Sequence, residues 1–192
     1  MNFAFVFPGQ GSQSVGMMAA YGESTVIRQA FAEASEALGE DLWQMVADGP
    51  AEVLAQTVNT QPLMLTAGVA IYREWIARGG ALPSLVAGHS LGEYSALVVA
   101  GALDFQEAVK LVRLRAQAMQ EAVPQGEGAM AALLGLDEAA AVEACAEAAQ
   151  GEVVSAANLN SPGQIVIAGA RAAVERAMVA AKARGAKRAV LL

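Results

Sequence analysis

The pentapeptide Gly88-His89-Ser90-Leu91-Gly92 sets a serine between two glycines at a spacing that suits a nucleophile. A serine hydroxyl attacks a carbonyl when a positioned base takes its proton, and histidine is the usual base. The chain has one histidine, His89, directly beside the serine. Neighbours at a tight turn point apart, so His89 is a poor base for Ser90. In enzymes built on this turn the base follows the serine well downstream, and no histidine follows Ser90 here. The base is therefore expected beyond Leu192, which would make these 192 residues a fragment or a truncated product. The competing expectation is that Ser90 is inert and the protein only binds something.

The elements around the serine must hold it in place. "SLVAGH", 84–89, reads as a short strand, and 91–100 as a helix. This is the strand–turn–helix setting that Gly-x-Ser-x-Gly requires. Gly88 and Gly92 leave room for a turn that pushes the hydroxyl outward. The backbone N–H of Leu91, at a helix N-terminus, is placed to bind a developing oxyanion. A second donor is expected from the loop after the first strand (2–7), where the backbone N–H of Gln10 is available. Two plainer readings stand beside these. Ser90 could be only an N-cap, and "PGQGSQ" only a Gly-rich turn. That loop is not a dinucleotide fingerprint, because Ser14 stands where the third glycine would be needed.

Further helices are predicted over 23–39, 50–57, from about Pro62 to Gly79-Gly80, and over 104–122 behind an Asp104 cap. After Pro124 and Gly126 the pattern changes. Strands at 128–135, 152–159, 164–169 and 187–192 alternate with helices at 137–149 and 170–184 in the order β-α-β-β-α-β, a ferredoxin-like arrangement. Two domains follow, 1–125 and 126–192.

In the helix "DFQEAVKLVRLRAQAMQEAV", Ala108, Leu111, Val112, Met119 and Ala122 form one apolar stripe, with Arg115 in its middle. Gln106, Lys110, Arg113, Gln117 and Gln120 form the expected solvated face. A guanidinium on a buried side is costly unless paired, and its planar fork matches a carboxylate. The partner is either a protein acid or a substrate carboxylate. The net charge of −7 argues against nucleic acid as the main partner. No apolar run approaches the roughly 18 residues of a membrane helix. One cysteine, Cys145, excludes an internal disulfide framework, and it is expected to be packed and inert. The chain reads as cytoplasmic. Residues 171–188 carry six basic side chains against Glu175 alone, either a solvated helix face or a docking face for an acidic partner.

Several stretches together resemble a known family: "FVFPGQGSQ" at 5–13, "TQPLML" at 60–65, "GHSLGEYSAL" at 88–97, "RLRAQAMQEA" at 113–122 and "NLNSPGQIVIAG" at 158–169. They are similar to the malonyl-CoA:acyl carrier protein transacylases of bacterial fatty-acid synthesis and to the acyltransferase domains of polyketide and fatty-acid synthases. The resemblance implies an α/β fold, with an α/β-hydrolase-like large domain, incomplete here, and a ferredoxin-like βαββαβ small domain. It implies a malonyl-serine intermediate on Ser90, an oxyanion hole from Gln10 and Leu91, and Arg115 as the clamp for the malonyl carboxylate. Gln61, Met119, Asn158 and Asn160 would lie along the cleft. Malonyl-CoA and acyl carrier protein are the implied partners, with no nucleic acid and no membrane. No metal and no cofactor is implied, since coenzyme A and the carrier phosphopantetheine are substrates. The family's catalytic histidine comes from a segment after the small domain, and the complete protein would be monomeric. The alternatives are a serine hydrolase such as a thioesterase, or a truncated, non-catalytic binder of acyl-CoA or carrier protein.

Overall fold

The computed structural model describes residues 2–124 and 126–192. The chain divides into two compact units, Met1–Glu121 and Ala122–Leu192. The domain boundary expected from sequence falls at Gln125, outside the described residues.

In the first unit, strand β1 (Ala4–Phe7) is followed by a short 3-10 turn (Ala19–Tyr21), then by α1 (Thr25–Leu38), α2 (Leu42–Asp48), α3 (Ala51–Leu54) and α4 (Thr57–Ala77). Strand β2 (Leu85–Gly88), α5 (Leu91–Val99) and α6 (Phe105–Glu121) complete it. β1 and β2 pair in parallel, Ala4 with Leu85 through Phe7 with Gly88. Strand alternation puts Phe3, Phe5 and Phe7 on one face. There Phe5 meets Tyr72 and Trp75 of α4 edge-on, with ring centroids at 5.6 and 5.8 Å. On the other face Val6 and Leu85 are 72% and 71% exposed. The paired strands are thus covered on one face only.

Helix α4 corrects a boundary. Pro62 was expected to open it, but the helix starts five residues earlier and runs through the proline. A proline inside a helix removes a hydrogen bond and crowds the preceding turn. Here burial outweighs that cost, because every residue from Asn59 to Ala67 is buried. Side chains also stitch the start of α4 to α3: Asn59 Nδ2 donates to Val53 O and Thr60 Oγ1 to Leu54 O. The short helix expected over 50–57 is only the four residues of α3, and α2 was not anticipated.

The second unit contains β3 (Gly128–Leu134), α7 (Glu138–Ala149), β4 (Val154–Ser161), β5 (Gln164–Ala170), α8 (Arg171–Ala183) and β6 (Arg188–Leu191). The sheet order is β4-β5-β3-β6, antiparallel throughout. This is the ferredoxin-like order that the element sequence predicts. Leu133, Ile165, Ile167, Val174 and Cys145 form its core between sheet and helices. Asp137 caps α7 by accepting from Ala140 N–H. The other end of α7 is closed by Arg176, which donates to the carbonyls of Ala148 and Ala149 and pairs with Glu152.

The basic run is therefore partly internal. Arg176 and Arg184 pair with Glu152 and with Glu143 and Glu147, and Arg171 donates to Gly126 O. Lys182, Lys187 and Arg188 are exposed.

Candidate active site

β2 ends at Gly88 and α5 begins at Leu91, so His89 and Ser90 make the whole turn. The two glycines are demanded by close approach. A Cβ on Gly88 would lie 1.9 Å from Gly92 C, and one on Gly92 would lie 2.1 Å from the Phe7 carbonyl oxygen. The start of α5 thus presses directly against the end of β1, and His89 N–H donates to Phe7 O at 3.1 Å. Ser90 takes φ 52° and ψ −110°, a left-handed conformation for a non-glycine residue. Such conformations cost about 1–3 kcal/mol and persist where the surroundings impose them.

Ser90 stands at the N-cap position, yet its side chain makes no capping hydrogen bond. Its Oγ instead accepts from Arg115 Nη2 at 3.0 Å. The plain capping reading therefore fails. His89 turns elsewhere: a Cβ on Gly9 would lie 3.2 Å from its Nδ1, so the imidazole lies against the loop after β1. Leu91 is buried and opens α5. As the first helical residue its N–H has no acceptor within the helix. Gln10 lies in the loop that abuts the turn, and its Nε2 donates to Thr57 Oγ1 at 3.1 Å, tying that loop to the first turn of α4.

Arg115 joins two further predicted residues, Gln61 and, through it, Met119. Its Nη1 donates to Gln61 Oε1 at 2.7 Å. Gln61, 1% exposed, holds Met119 Sδ at 3.4 Å through its Nε2. Ser90, Arg115, Gln61 and Met119 thus form one connected cluster. Asn158 and Asn160 belong to β4 of the second unit, half-buried and exposed respectively.

The apolar stripe assigned to α6 needs correction. Its buried residues are Phe105, Ala108, Val109, Val112 and Ala116, while Leu111 and Met119 are exposed. The buried face is rotated because α6 packs on both α1 and α4. Arg113, expected in solvent, is the more enclosed arginine, its side chain 16% exposed and its two Nη atoms on Glu40 at 2.8 and 2.6 Å. Arg115 sits at the rim of the face, half-buried, among the neutral oxygens of Ser90 and Gln61. Two neighbours escaped the sequence reading. Tyr94, one turn after Ser90 on α5, has its ring centroid 5.6 Å from Arg115 Cζ. Thr57 anchors Gln10. The four-residue spacing of Ser90 and Tyr94 was a usable signal, whereas nothing local pointed to Thr57.

This arrangement places a hydroxyl and a guanidinium within hydrogen-bond distance of each other at the start of a helix. A family model described as an acyl transferase domain matches residues 4–191. The chain belongs to the acyl transferase domain family. Among acyl transferase relatives, the malonyl CoA-acyl carrier protein transacylase of Escherichia coli K12 is 61% identical over 191 residues, which are 99% of this chain and 62% of that protein. The crystal structure of an acyl-carrier-protein S-malonyltransferase from Burkholderia pseudomallei is 59% identical, with a TM-score of 0.95 over 100% of this chain and 62% of that one. A malonyl-transacylase solved in complex with its type II PKS acyl-carrier protein is 58% identical, with a TM-score of 0.95 over 100% of this chain and 62% of that one. The chain thus spans about 62% of the length of these relatives.

Proposed function

We propose that Ser90 takes a malonyl group from malonyl-CoA and passes it to the phosphopantetheine thiol of acyl carrier protein. In the first half-reaction Ser90 Oγ attacks the thioester carbonyl as a base removes its proton, and the N–H groups of Gln10 and Leu91 bind the oxyanion. The tetrahedral intermediate then expels coenzyme A, which leaves with the proton. In the second half, the carrier thiol attacks the malonyl-serine ester and Ser90 recovers its proton, a ping-pong sequence. Arg115 binds the malonyl carboxylate, with Gln61 and Met119 backing it. We place the base in polypeptide outside these 192 residues, because the one histidine in them lies against Gly9.

One observation carries this reading: a guanidinium that forms no ion pair among the described residues lies one hydrogen bond from the hydroxyl of a strained turn. Support for the substrates comes from the relatives' names and from the solved complex with a carrier protein. The exposed Lys182, Lys187 and Arg188 suit an acidic partner. The single cysteine and the coenzyme A thioester suit a cytoplasmic setting.

The test is intact-protein mass spectrometry with malonyl-CoA, on this chain and on one extended to its relatives' length. A gain of one malonyl group at Ser90, absent in Ser90→Ala, is expected at least in the extended chain. Arg115→Ala should lower malonyl loading roughly 10- to 100-fold more than acetyl loading, as loss of a charge-assisted pair predicts. Equal losses would make Arg115 structural. Release of free malonate with no transfer to carrier would favour a thioesterase. No adduct on either chain would favour a non-catalytic binder.

A further inference from the structure

We propose that Arg115 also latches the nucleophile: without substrate its Nη2 holds Ser90 Oγ and its Nη1 holds Gln61 Oε1, so that a carboxylate must compete with Ser90 for the guanidinium and, in doing so, releases the hydroxyl. The inference rests on the acyl-transfer reading and adds a selection step to it.

The two ends of the guanidinium are held unequally. Gln61 is buried on α4 and is itself held by Met119, so its oxygen is a fixed post. Ser90 Oγ is exposed, and its contact with Nη2 is the end open to an incoming anion. Arg113, two residues away, has Glu40 on both Nη atoms. Arg115 forms no ion pair among the described residues. Its positive charge is met by two neutral oxygens and, at longer range, by the ring of Tyr94. A carboxylate is a stronger acceptor than a hydroxyl, and it prefers two parallel N–H donors of the planar fork. Taking Nη2 as one of them displaces Ser90.

The displacement changes the serine. While Oγ accepts from a cation, a lone pair points at Arg115 and is not aimed at a carbonyl carbon. Once the carboxylate holds the guanidinium, that lone pair is free beside the thioester of the same acyl group. An acyl group with no carboxylate leaves the latch closed. Selection for a dicarboxylic acyl group then acts twice, once in binding and once in exposing the nucleophile. The coupling is reciprocal: whatever Ser90 contributes to holding Arg115 is subtracted from carboxylate affinity.

Reciprocity gives a test that needs no turnover and no base. The probe is malonamate, which carries one carboxylate and one uncharged carbonyl as a malonyl thioester does. It is titrated into this chain and each variant, and binding is followed by isothermal titration calorimetry. Ser90→Ala is expected to bind malonamate roughly tenfold tighter than the parent, the size expected for a lost hydrogen bond to a charged group. Ser90→Cys, whose sulfur is a weak acceptor, is expected to fall between them and serves where the alanine variant disturbs the fold. Equal or weaker binding by both variants overturns the latch and leaves Arg115 as a carboxylate clamp. Binding unaffected by Arg115→Ala overturns the clamp, and the latch with it. No saturable binding to any variant does the same.

Discussion

The contact between the start of α5 and the end of β1 can be tested by adding one methyl group. In Gly92→Ala the new Cβ would lie 2.1 Å from Phe7 O, 2.8 Å from Phe7 C and 2.8 Å from Pro8 O. All three are backbone atoms, so no side chain can turn away. Restoring ordinary contact requires α5 to move about 1 Å from the strand, and overpacking of this kind costs about 1–3 kcal/mol, the upper end applying where backbone meets backbone. Gly101→Ala is the control. Its Cβ would meet nothing within 4 Å, but its φ of +74° is strained for alanine, so its cost is conformational alone, about 1 kcal/mol. Both tryptophans, Trp43 and Trp75, lie in the first unit, so their fluorescence during urea unfolding reads that unit. With a urea slope of about 1.5 kcal/mol/M, Gly92→Ala should lower the midpoint by roughly 2 M and Gly101→Ala by about 0.7 M. Equal shifts would refute the claim that a backbone contact forms the turn, and would leave the glycines a conformational role only.

Two further outcomes are expected. Hydrogen bonds from Ser24 Oγ, at 2.6 Å, and from Arg78 hold the Glu74 carboxyl below the usual carboxylate range. A depressed value contributes stability above the unfolded-state pKa, near 4.3, that is lost as pH falls through the folded one. The stability difference between the parent and Glu74→Gln should be full at pH 7 and shrink below about pH 4, and an undiminished difference at pH 3 would refute it. Burial pushes the Cys145 thiol up and leaves it 3% exposed in the second unit. A thiol-reactive disulfide at pH 8 should label it slowly in native buffer and quickly once urea unfolds that unit; rapid native labelling would show that the core around α7 opens.

The sequence made some features legible and hid others, for physical reasons. Ser90's turn was readable because it is local: strand, a two-residue turn flanked by glycines, and helix lie within fifteen positions. The β-α-β-β-α-β order was readable because its elements are short and several are marked by local signals, as with Asp137 before α7 and Pro162-Gly163 between β4 and β5. Helix α4 was misread at its start because Pro62 is a local stop signal. What keeps the helix going is burial on all sides and side-chain bonds to α3, neither of which periodicity reveals. The roles of Arg113 and Arg115 on α6 were exchanged in burial for a similar reason. A helix packed against two neighbours buries a wider and rotated face, and a one-stripe reading cannot tell which arginine lies at its edge.

The proposed role of Arg115 rests on a different premise from the one the sequence suggested. The sequence argument held that a guanidinium in an apolar stripe must find a carboxylate. In the structure the enclosed guanidinium, Arg113, does find one in Glu40. Arg115 is less enclosed and has neutral partners, so burial is not what demands an anion there. The demand comes from position. A cation at the rim of α6 lies against the hydroxyl of a residue held at φ 52°, between two glycines that admit no side chain. The strain fixes where the hydroxyl points, and the close backbone contact fixes the turn that imposes the strain. In the proposed latch the arginine then determines which acyl groups leave that hydroxyl free. Chemistry, local strain and tight packing therefore meet at one residue, and a change in any of the three should be read first at Ser90.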